Sequence, residues 1–104
     1  MKKVNEKDVP FKYEKSGPKY LFNEAGFAGG VAYLNPGDEI KPHIHENETE
    51  IFYFIKGAPV FISGGSQIRV ITGDSFVVPP KETHGIKNDT NDTVQLTFLK
   101  VKEK

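Results

Sequence analysis

Apolar residues occur along this chain in short runs, and no segment carries an apolar stripe with the period of a helix. The runs are rich in β-branched and aromatic residues, and clusters of Gly, Pro, Asn and Asp separate them at intervals of about ten residues. This pattern predicts a single all-β barrel or sandwich. The predicted strands cover residues 19–22, 30–34, 40–45, 50–56, 59–63, 67–72, 75–78, 84–87 and 94–101.

The strand predicted over residues 50–56 has apolar side chains on both faces. Because successive side chains of a strand alternate, an inward Glu50 fixes the direction of the others. The inward residues are then Glu50, Phe52 and Phe54, and the outward residues are Ile51, Tyr53 and Ile55. A strand that is apolar on both faces is usually covered on both, and in a barrel this short a second copy is the simplest outer cover. We therefore predict a homodimer joined through this sheet.

Length and charge exclude several classes of protein. The 104 residues suffice for one domain, and the 14 basic and 14 acidic side chains cancel without any block of like charge. We therefore expect no nucleic-acid partner. The chain has no segment of about 20 apolar residues for a membrane span and no apolar stretch at its start for a secretory signal, so we expect a cytoplasmic protein without a membrane partner.

The first eighteen residues differ in composition from the rest. Residues 1–18 are polar and rich in lysine, and the predicted barrel covers residues 19–104. The first segment is expected either to be loosely ordered or to add an edge strand to the barrel or to a neighbouring copy. Cysteine is absent, which excludes disulfides and thiolate chemistry.

All three histidines and one glutamate have spacings that suit a single metal ion. His43 and His45 alternate, so on a strand both side chains point to the same face. Glu50 follows five residues later, with Glu48 as the next candidate, and His84 comes from a distant segment. Imidazole nitrogens combined with a carboxylate oxygen suit first-row transition metals.

Glycines, a proline and an asparagine punctuate both ligand segments. The first segment has Gly37, five residues, His43, one residue, His45, four residues, Glu50, six residues and Gly57. The second has Gly73, five residues, Pro79, four residues, His84, three residues and Asn88, and fifteen residues separate the two segments. In order, internal spacing and gap, this pair resembles the two motifs of the cupin family.

The resemblance implies an antiparallel barrel of the jelly-roll type, also called a double-stranded β-helix. It also implies one divalent metal ion, Fe, Mn, Zn, Ni, Co or Cu, with Glu50 and His84 catalytic as well as metal-binding. The implied ligands are His43, His45, Glu50 and His84. One position departs from the family pattern, because Lys81 stands where the family usually has glycine. If the turn there needs a positive φ, a lysine lowers the stability of the folded chain by about 1 kcal/mol relative to glycine.

Four protein ligands leave one or two coordination positions for water or substrate, as a catalytic site requires. We predict a metal-dependent enzyme with dioxygenase-like oxidoreductase chemistry on a small oxygen-bearing molecule. The alternatives are an isomerase or lyase that uses the metal as a Lewis acid, and a non-catalytic barrel that binds a metal or small molecule. Oxalate decarboxylase-like chemistry is disfavoured, because those relatives generally carry two barrels in one chain. The complete ligand set argues against a seed-storage-like structural role.

Several neighbouring side chains are secondary candidates. Glu46 and Glu48 lie between the ligands and can act as a general acid or base, although solvated loop carboxylates are the simpler interpretation. Lys41 and Lys81 flank the ligand segments and can attract an anionic substrate, although exposed lysines explain them equally well. The phenylalanines are assigned mainly to the core, with some lining an apolar pocket beneath the ion.

Overall fold

A computed structural model describes residues 1–103, and its regular secondary structure is almost entirely β-strand. A three-residue 3-10 helix, Glu6–Asp8, precedes them. The nine strands are β1 (Gly17–Asn23), β2 (Phe27–Leu34), β3 (Glu39–His43), β4 (Glu48–Lys56), β5 (Val60–Ser63), β6 (Ser66–Arg69), β7 (Ser75–Val78), β8 (His84–Lys87) and β9 (Val94–Lys102). Each predicted strand is present, with shifts at the ends. Within residues 1–103, no helix has the length and apolar character needed to cross a membrane.

The strands form two antiparallel sheets, which confirms the predicted all-β jelly-roll architecture. One sheet has five strands in the order β1-β2-β9-β4-β7, and the other has four in the order β3-β8-β5-β6. The central strands β4 and β9 are distant in sequence yet pair along most of their length. The long pairings of β9 with β2 and β4 therefore tie the end of the chain to its beginning and its middle.

The core lies between the inner faces of the two sheets. The alternation predicted for β4 is confirmed, since Phe52 and Phe54 are 3% and 0% exposed whereas Tyr53 and Ile55 are 48% and 40% exposed. Phe61 from the four-stranded sheet stacks on Phe76 from the five-stranded sheet, with ring centroids 4.2 Å apart. The buried apolar residues in this cluster are Ala32, Leu34, Phe52, Phe54, Phe61, Val70, Val78, Ile86, Val94, Leu96 and Phe98.

A β-bulge in β3 determines where its histidine points. Ile40 pairs with Ile86 and His43 pairs with His84, so β3 uses one more residue than β8 between the two pairs. Such an insertion turns the following side chain to the other face, and it directs His43 to the same side as the partly buried Ile40. Gly85 permits the close approach, because a Cβ atom there would lie 2.8 Å from the Ile40 carbonyl oxygen.

The sequence prediction extended this strand two residues too far. β3 ends at His43, and His45 lies in the connection to β4. The two histidines therefore do not share a face by alternating on one strand, which corrects that part of the sequence argument. The connection is held instead by a turn from the other ligand segment, where the Lys81 amide donates a hydrogen bond of 2.8 Å to the His45 carbonyl.

The polar N-terminal segment packs against the outside of the five-stranded sheet. Its last two residues begin the edge strand β1. The Glu6 carboxylate accepts a hydrogen bond of 2.9 Å from the Tyr33 hydroxyl and lies 3.6 Å from the ammonium of the buried Lys19. Lys2 forms an exposed ion pair of 2.8 Å with Glu24. These contacts hold the segment on β1 and β2.

The outer face of the five-stranded sheet is apolar. At its centre, Ile51 pairs with Val77 on one side and with Leu99 on the other. The exposed apolar side chains on this face are Phe27, Tyr53, Ile55, Val77, Leu99 and Val101. A contiguous apolar patch of this kind is typical of a protein interface.

We predict that this face joins two copies of the chain. Size-exclusion chromatography with light scattering should give twice the 11.6 kDa mass of one chain. Leu99→Glu should shift the protein to a monomer, because it places a charge in the interface. Ile71→Glu is the matched control, since Ile71 is 70% exposed and lies outside this sheet. A particle of 11.6 kDa for the unmodified chain at micromolar concentration would contradict the prediction.

Candidate metal centre

The four predicted ligands converge between the two sheets. Glu50 comes from β4 of the five-stranded sheet, His43 and His84 come from β3 and β8 of the four-stranded sheet, and His45 comes from the loop between β3 and β4. Each offers a ligand atom, and these atoms all lie within 4.8 Å of one another. Glu50 and His84 are 4% and 1% exposed, while His43 and His45 are half-buried. The cluster can hold a metal ion.

Hydrogen bonds on the outer side orient the imidazole rings. Nδ1 of His43 donates to the Lys41 carbonyl at 2.8 Å, and Nδ1 of His84 donates to the Glu82 carbonyl at 3.1 Å. A carbonyl only accepts, so Nδ1 carries the proton in both rings, and the neutral ring presents the Nε2 lone pair to the centre. The Glu48 carboxylate lies 3.4 Å from Nδ1 of His45, where its charge favours a proton on that nitrogen.

One carboxylate oxygen faces two of these nitrogens. Oε1 of Glu50 lies 2.9 Å from Nε2 of His84 and 3.1 Å from Nε2 of His45. Two lone pairs at such a distance repel unless a proton or a cation lies between them. Burying these groups without either costs several kcal/mol. The donor set therefore fits a divalent transition metal, which accepts electron pairs from imidazole and carboxylate together.

Without a metal, a proton stabilises the same contact. Burial lowers the pKa of His84, but the hydrogen bonds to Glu50 and to the Glu82 carbonyl outweigh it and the net pKa is raised. Burial raises the pKa of Glu50, but the His84 hydrogen bond and the Lys100 charge outweigh it and the net pKa is lowered. Burial lowers the pKa of His45 despite the nearby Glu50 carboxylate. Of the two rings that face Glu50, His84 is therefore favoured over His45 for a proton.

The turn that precedes His84 holds two of the ligands. Lys81 has φ of 69°, so the lysine adopts the left-handed conformation for which the motif usually has glycine at this position. The Lys81 amide binds the His45 carbonyl, and the Glu82 carbonyl accepts from His84. The turn thus keeps the required shape despite the substitution.

A cavity of about 520 Å³ opens beside the cluster and is lined in part by His43 and Glu50. Its apolar wall includes Ile40, Phe52, Leu96 and Phe98. The space exists because β2 presents small side chains to the interior where neighbouring strands present large ones, with Gly30 opposite Phe98 and Ala32 opposite Leu96. Of the predicted pocket phenylalanines, Phe52 and Phe98 line the cavity.

Two polar residues that line this cavity, Lys100 and Tyr20, were not among the candidates chosen from the sequence. Lys100 lies on the inner face of β9, two residues beyond Phe98, and pairs with Glu50 across the strands. Its ammonium donates a hydrogen bond of 2.7 Å to the Tyr20 hydroxyl. Burial lowers the pKa of Lys100, but the contact with Tyr20 and the charges of Glu50 and Glu48 outweigh it, so the net pKa is raised. The alternation in β9 was the available signal, since it predicts a charged residue on an apolar face.

The secondary candidates lie in different places. Lys41 lines the cavity, whereas Lys81 serves the turn. Glu48 contacts His45 rather than replacing Glu50 as a member of the cluster, and Glu46 is exposed.

Comparison with known proteins matches the part of the chain that contains the four candidate ligands. A family model described as "Cupin domain" matches residues 30–100. The chain is 37% identical over 68 residues to an oxalate-binding protein from Thermotoga maritima, a match that covers 65% of this chain and 54% of that protein. It is 35% identical over 63 residues to quercetin 2,3-dioxygenase from Bacillus subtilis, covering 61% of this chain and 19% of that protein. The matched region is thus about half of one curated relative and about a fifth of the other.

The fold also matches solved structures. A predicted oxalate decarboxylase from Thermotoga maritima superposes with a TM-score of 0.79 at 22% identity, covering 97% of this chain and 99% of that one. At this identity the match shows the fold alone.

We predict that Lys81→Gly stabilises the protein, because glycine relieves the left-handed backbone strain. Relief of the strain is expected to raise the free energy of unfolding by at most about 1 kcal/mol. The greater conformational freedom of glycine in the unfolded chain offsets part of this gain. Thermal unfolding measures it as a rise of up to roughly 4–8 °C. Thr83→Gly is the matched control and should lower the melting temperature, since Thr83 has no positive φ. A lower melting temperature in both variants would contradict the prediction.

A second prediction concerns metal and pH. In the metal-free protein the raised pKa of His84 gives stability that is complete below its ordinary pKa of about 6.5 and is lost as the pH rises through the raised value. A metal needs neutral rings, so its stabilisation falls as the pH drops through about 6. The difference in melting temperature between loaded and chelated protein should therefore widen from about pH 6 to about pH 8.

Differential scanning calorimetry with and without a chelator measures this difference. The His43→Ala variant is the control and should show a much smaller one, because it lacks a ligand of the cluster. Equal melting temperatures for loaded and chelated protein at every pH would count against a bound ion.

Proposed function

This chain belongs to the cupin family, and from that premise we propose that it is a metal-dependent enzyme acting on a small oxygen-bearing organic molecule. One observation carries the proposal: four ligand atoms lie within 4.8 Å of one another, and two of the residues that offer them, His43 and Glu50, line a cavity large enough for such a molecule. A structural metal site would be closed by its ligands, whereas a catalytic one needs access from a pocket.

The proposed ligands are His43, His45, Glu50 and His84. A divalent transition metal held there supplies Lewis acidity and open coordination positions for a substrate. Glu50 is also proposed as catalytic, because its carboxylate lines the cavity and can exchange a proton with a bound molecule. His84 holds Glu50 through the contact of 2.9 Å and helps to lower its pKa.

Within this function, dioxygenase-like oxidoreductase chemistry is our first proposal. The apolar wall of Phe52, Leu96 and Phe98 limits water beside the site, which protects reactive intermediates. The similarity to quercetin 2,3-dioxygenase supports the same choice. Isomerase or lyase chemistry with the metal as a Lewis acid is the alternative. The cytoplasmic location stays a prediction from the sequence.

A second candidate function is binding without turnover. Lys100 places a positive charge inside the cavity, which suits a small carboxylate, and the similarity to an oxalate-binding protein supports it. The two candidates use the same residues and differ only in whether the bound molecule is converted.

The test begins with protein purified without a metal-binding tag. Elemental analysis should find about one divalent ion per chain, and Glu50→Gln or His43→Ala should lose most of it. Iron with substrate-dependent oxygen uptake supports the dioxygenase. Manganese or zinc with substrate conversion but no uptake supports the isomerase or lyase, and a bound small molecule without conversion supports the binding protein. Protein that retains no divalent ion under any loading condition would overturn the proposal.

A further inference from the structure

We infer that Lys100 and Tyr20 form a carboxylate-binding subsite, and that the cavity selects an organic monocarboxylate with an apolar body. The inference rests on the proposed function, because it assigns a substrate class to the same cavity. It uses two residues outside the metal-ligand set.

The strand register places the ammonium inside the barrel. On β9, Leu96 and Phe98 point inward and are buried, and Lys100 continues the same face. Its Cα partner on β4 is Glu50, so the two side chains are neighbours on the inner surface. A group bound at Lys100 therefore lies next to the candidate metal ligands.

Among the residues that the structure describes, the Lys100 ammonium has no carboxylate within ion-pair distance, although Glu50 and Glu48 act on its charge at longer range. Within residues 1–103, its ammonium forms one hydrogen bond, to the Tyr20 hydroxyl, and no carboxylate is paired with it. A half-buried ammonium with a single neutral partner retains two free donors. Placing a charge in a partly apolar cavity is costly, and an anionic ligand offsets that cost.

Tyr20 supplies a second donor at the same point. Its hydroxyl oxygen accepts from Lys100 at 2.7 Å, and within the described part of the chain its own proton has no acceptor. The hydroxyl is therefore free to donate into the cavity. Two donors so close together match the two oxygens of one carboxylate, which is a stronger arrangement than a single neutral hydrogen bond. Tyr20 is held in place by edge-to-face contact with Phe98, with ring centroids 5.0 Å apart.

The rest of the cavity favours an apolar body. Ile40, Phe52 and Leu96 are among the residues of the wall, and the volume of about 520 Å³ exceeds what a carboxylate alone would fill. The charged groups that line the cavity are Lys12, Lys41, Lys100, Glu39 and Glu50. Three lysines therefore face two carboxylates, and the lining keeps a surplus of positive charge available to a ligand.

The experiment compares benzoate with benzamide, which have nearly the same shape and differ in charge. Binding is measured on chelated protein by nuclear magnetic resonance titration, so that no metal attracts the anion. Benzoate should bind about tenfold or more tightly than benzamide, because it gains charge-assisted hydrogen bonds. Acetate, which lacks the apolar body, should bind more weakly than benzoate.

Variants assign the preference to the subsite. Lys100→Met should bring the benzoate-to-benzamide ratio close to one, and Tyr20→Phe should reduce it. Lys100→Arg should retain it, because the charge remains. Lys87→Met is the matched control and should leave the ratio unchanged, since Lys87 is exposed and does not line the cavity. If Lys100→Met fails to fold, the Tyr20→Phe and Lys100→Arg results decide.

Equal binding of benzoate and benzamide, no binding of either, or a folded Lys100→Met protein that keeps the preference would overturn the inference. The metal content, measured separately by elemental analysis, distinguishes the two failures. A bound metal without anion preference sinks the subsite and leaves the proposed enzyme standing. Anion preference without any bound metal supports the subsite and overturns the metal-dependent function.

Discussion

The contact between the Glu50 carboxylate and two imidazole nitrogens is the constraint on which the site depends. Glu50 belongs to one sheet and His84 to the other, and both are buried. Because the outer nitrogen of His84 donates to the Glu82 carbonyl, its inner nitrogen faces the carboxylate oxygen at 2.9 Å. Only a proton or a cation makes that approach favourable. The core of the barrel therefore contains a place where positive charge stabilises the contact between its two sheets.

Local irregularities in the four-stranded sheet serve this contact. The bulge in β3 turns His43 inward opposite His84, and Gly85 lets the bulged backbone approach β8. The turn at Lys81 binds the loop that carries His45. Bulges and left-handed residues weaken a regular ladder, and they are tolerated where they aim side chains at a site. In the five-stranded sheet, β4 and β9 pair without a register shift around Glu50 and Lys100, so alternation alone directs both side chains inward.

Family membership accounts for the fold, whereas the proposed function depends on the side chains in the cavity. The metal-binding residues alone would not determine which small molecule the cavity binds. The inferred role of the Lys100 ammonium, which has no direct ion-pair partner within residues 1–103 and lies beside Tyr20, is to add a preference for anions within the same cavity. Small residues on β2 provide the volume, and aromatic residues on β4 and β9 provide an apolar surface. Within the proposed function, charge, volume and apolar wall together restrict the class of bound molecule more than the set of metal ligands does.

The sequence by itself determined the features that depend on local pattern. Runs bounded by Gly, Pro and Asn predicted every strand, alternation predicted which β4 residues are buried, and motif spacing selected the members of the His/Glu cluster. Only the tertiary structure decided the end of β3, the outer partners of the rings and the pairing of Lys100 with Tyr20. These depend on contacts between strands far apart in the chain. A bulge shifts the alternation, and a cavity depends on which side chains face each other across the barrel, so neither follows from the order of residues in one strand.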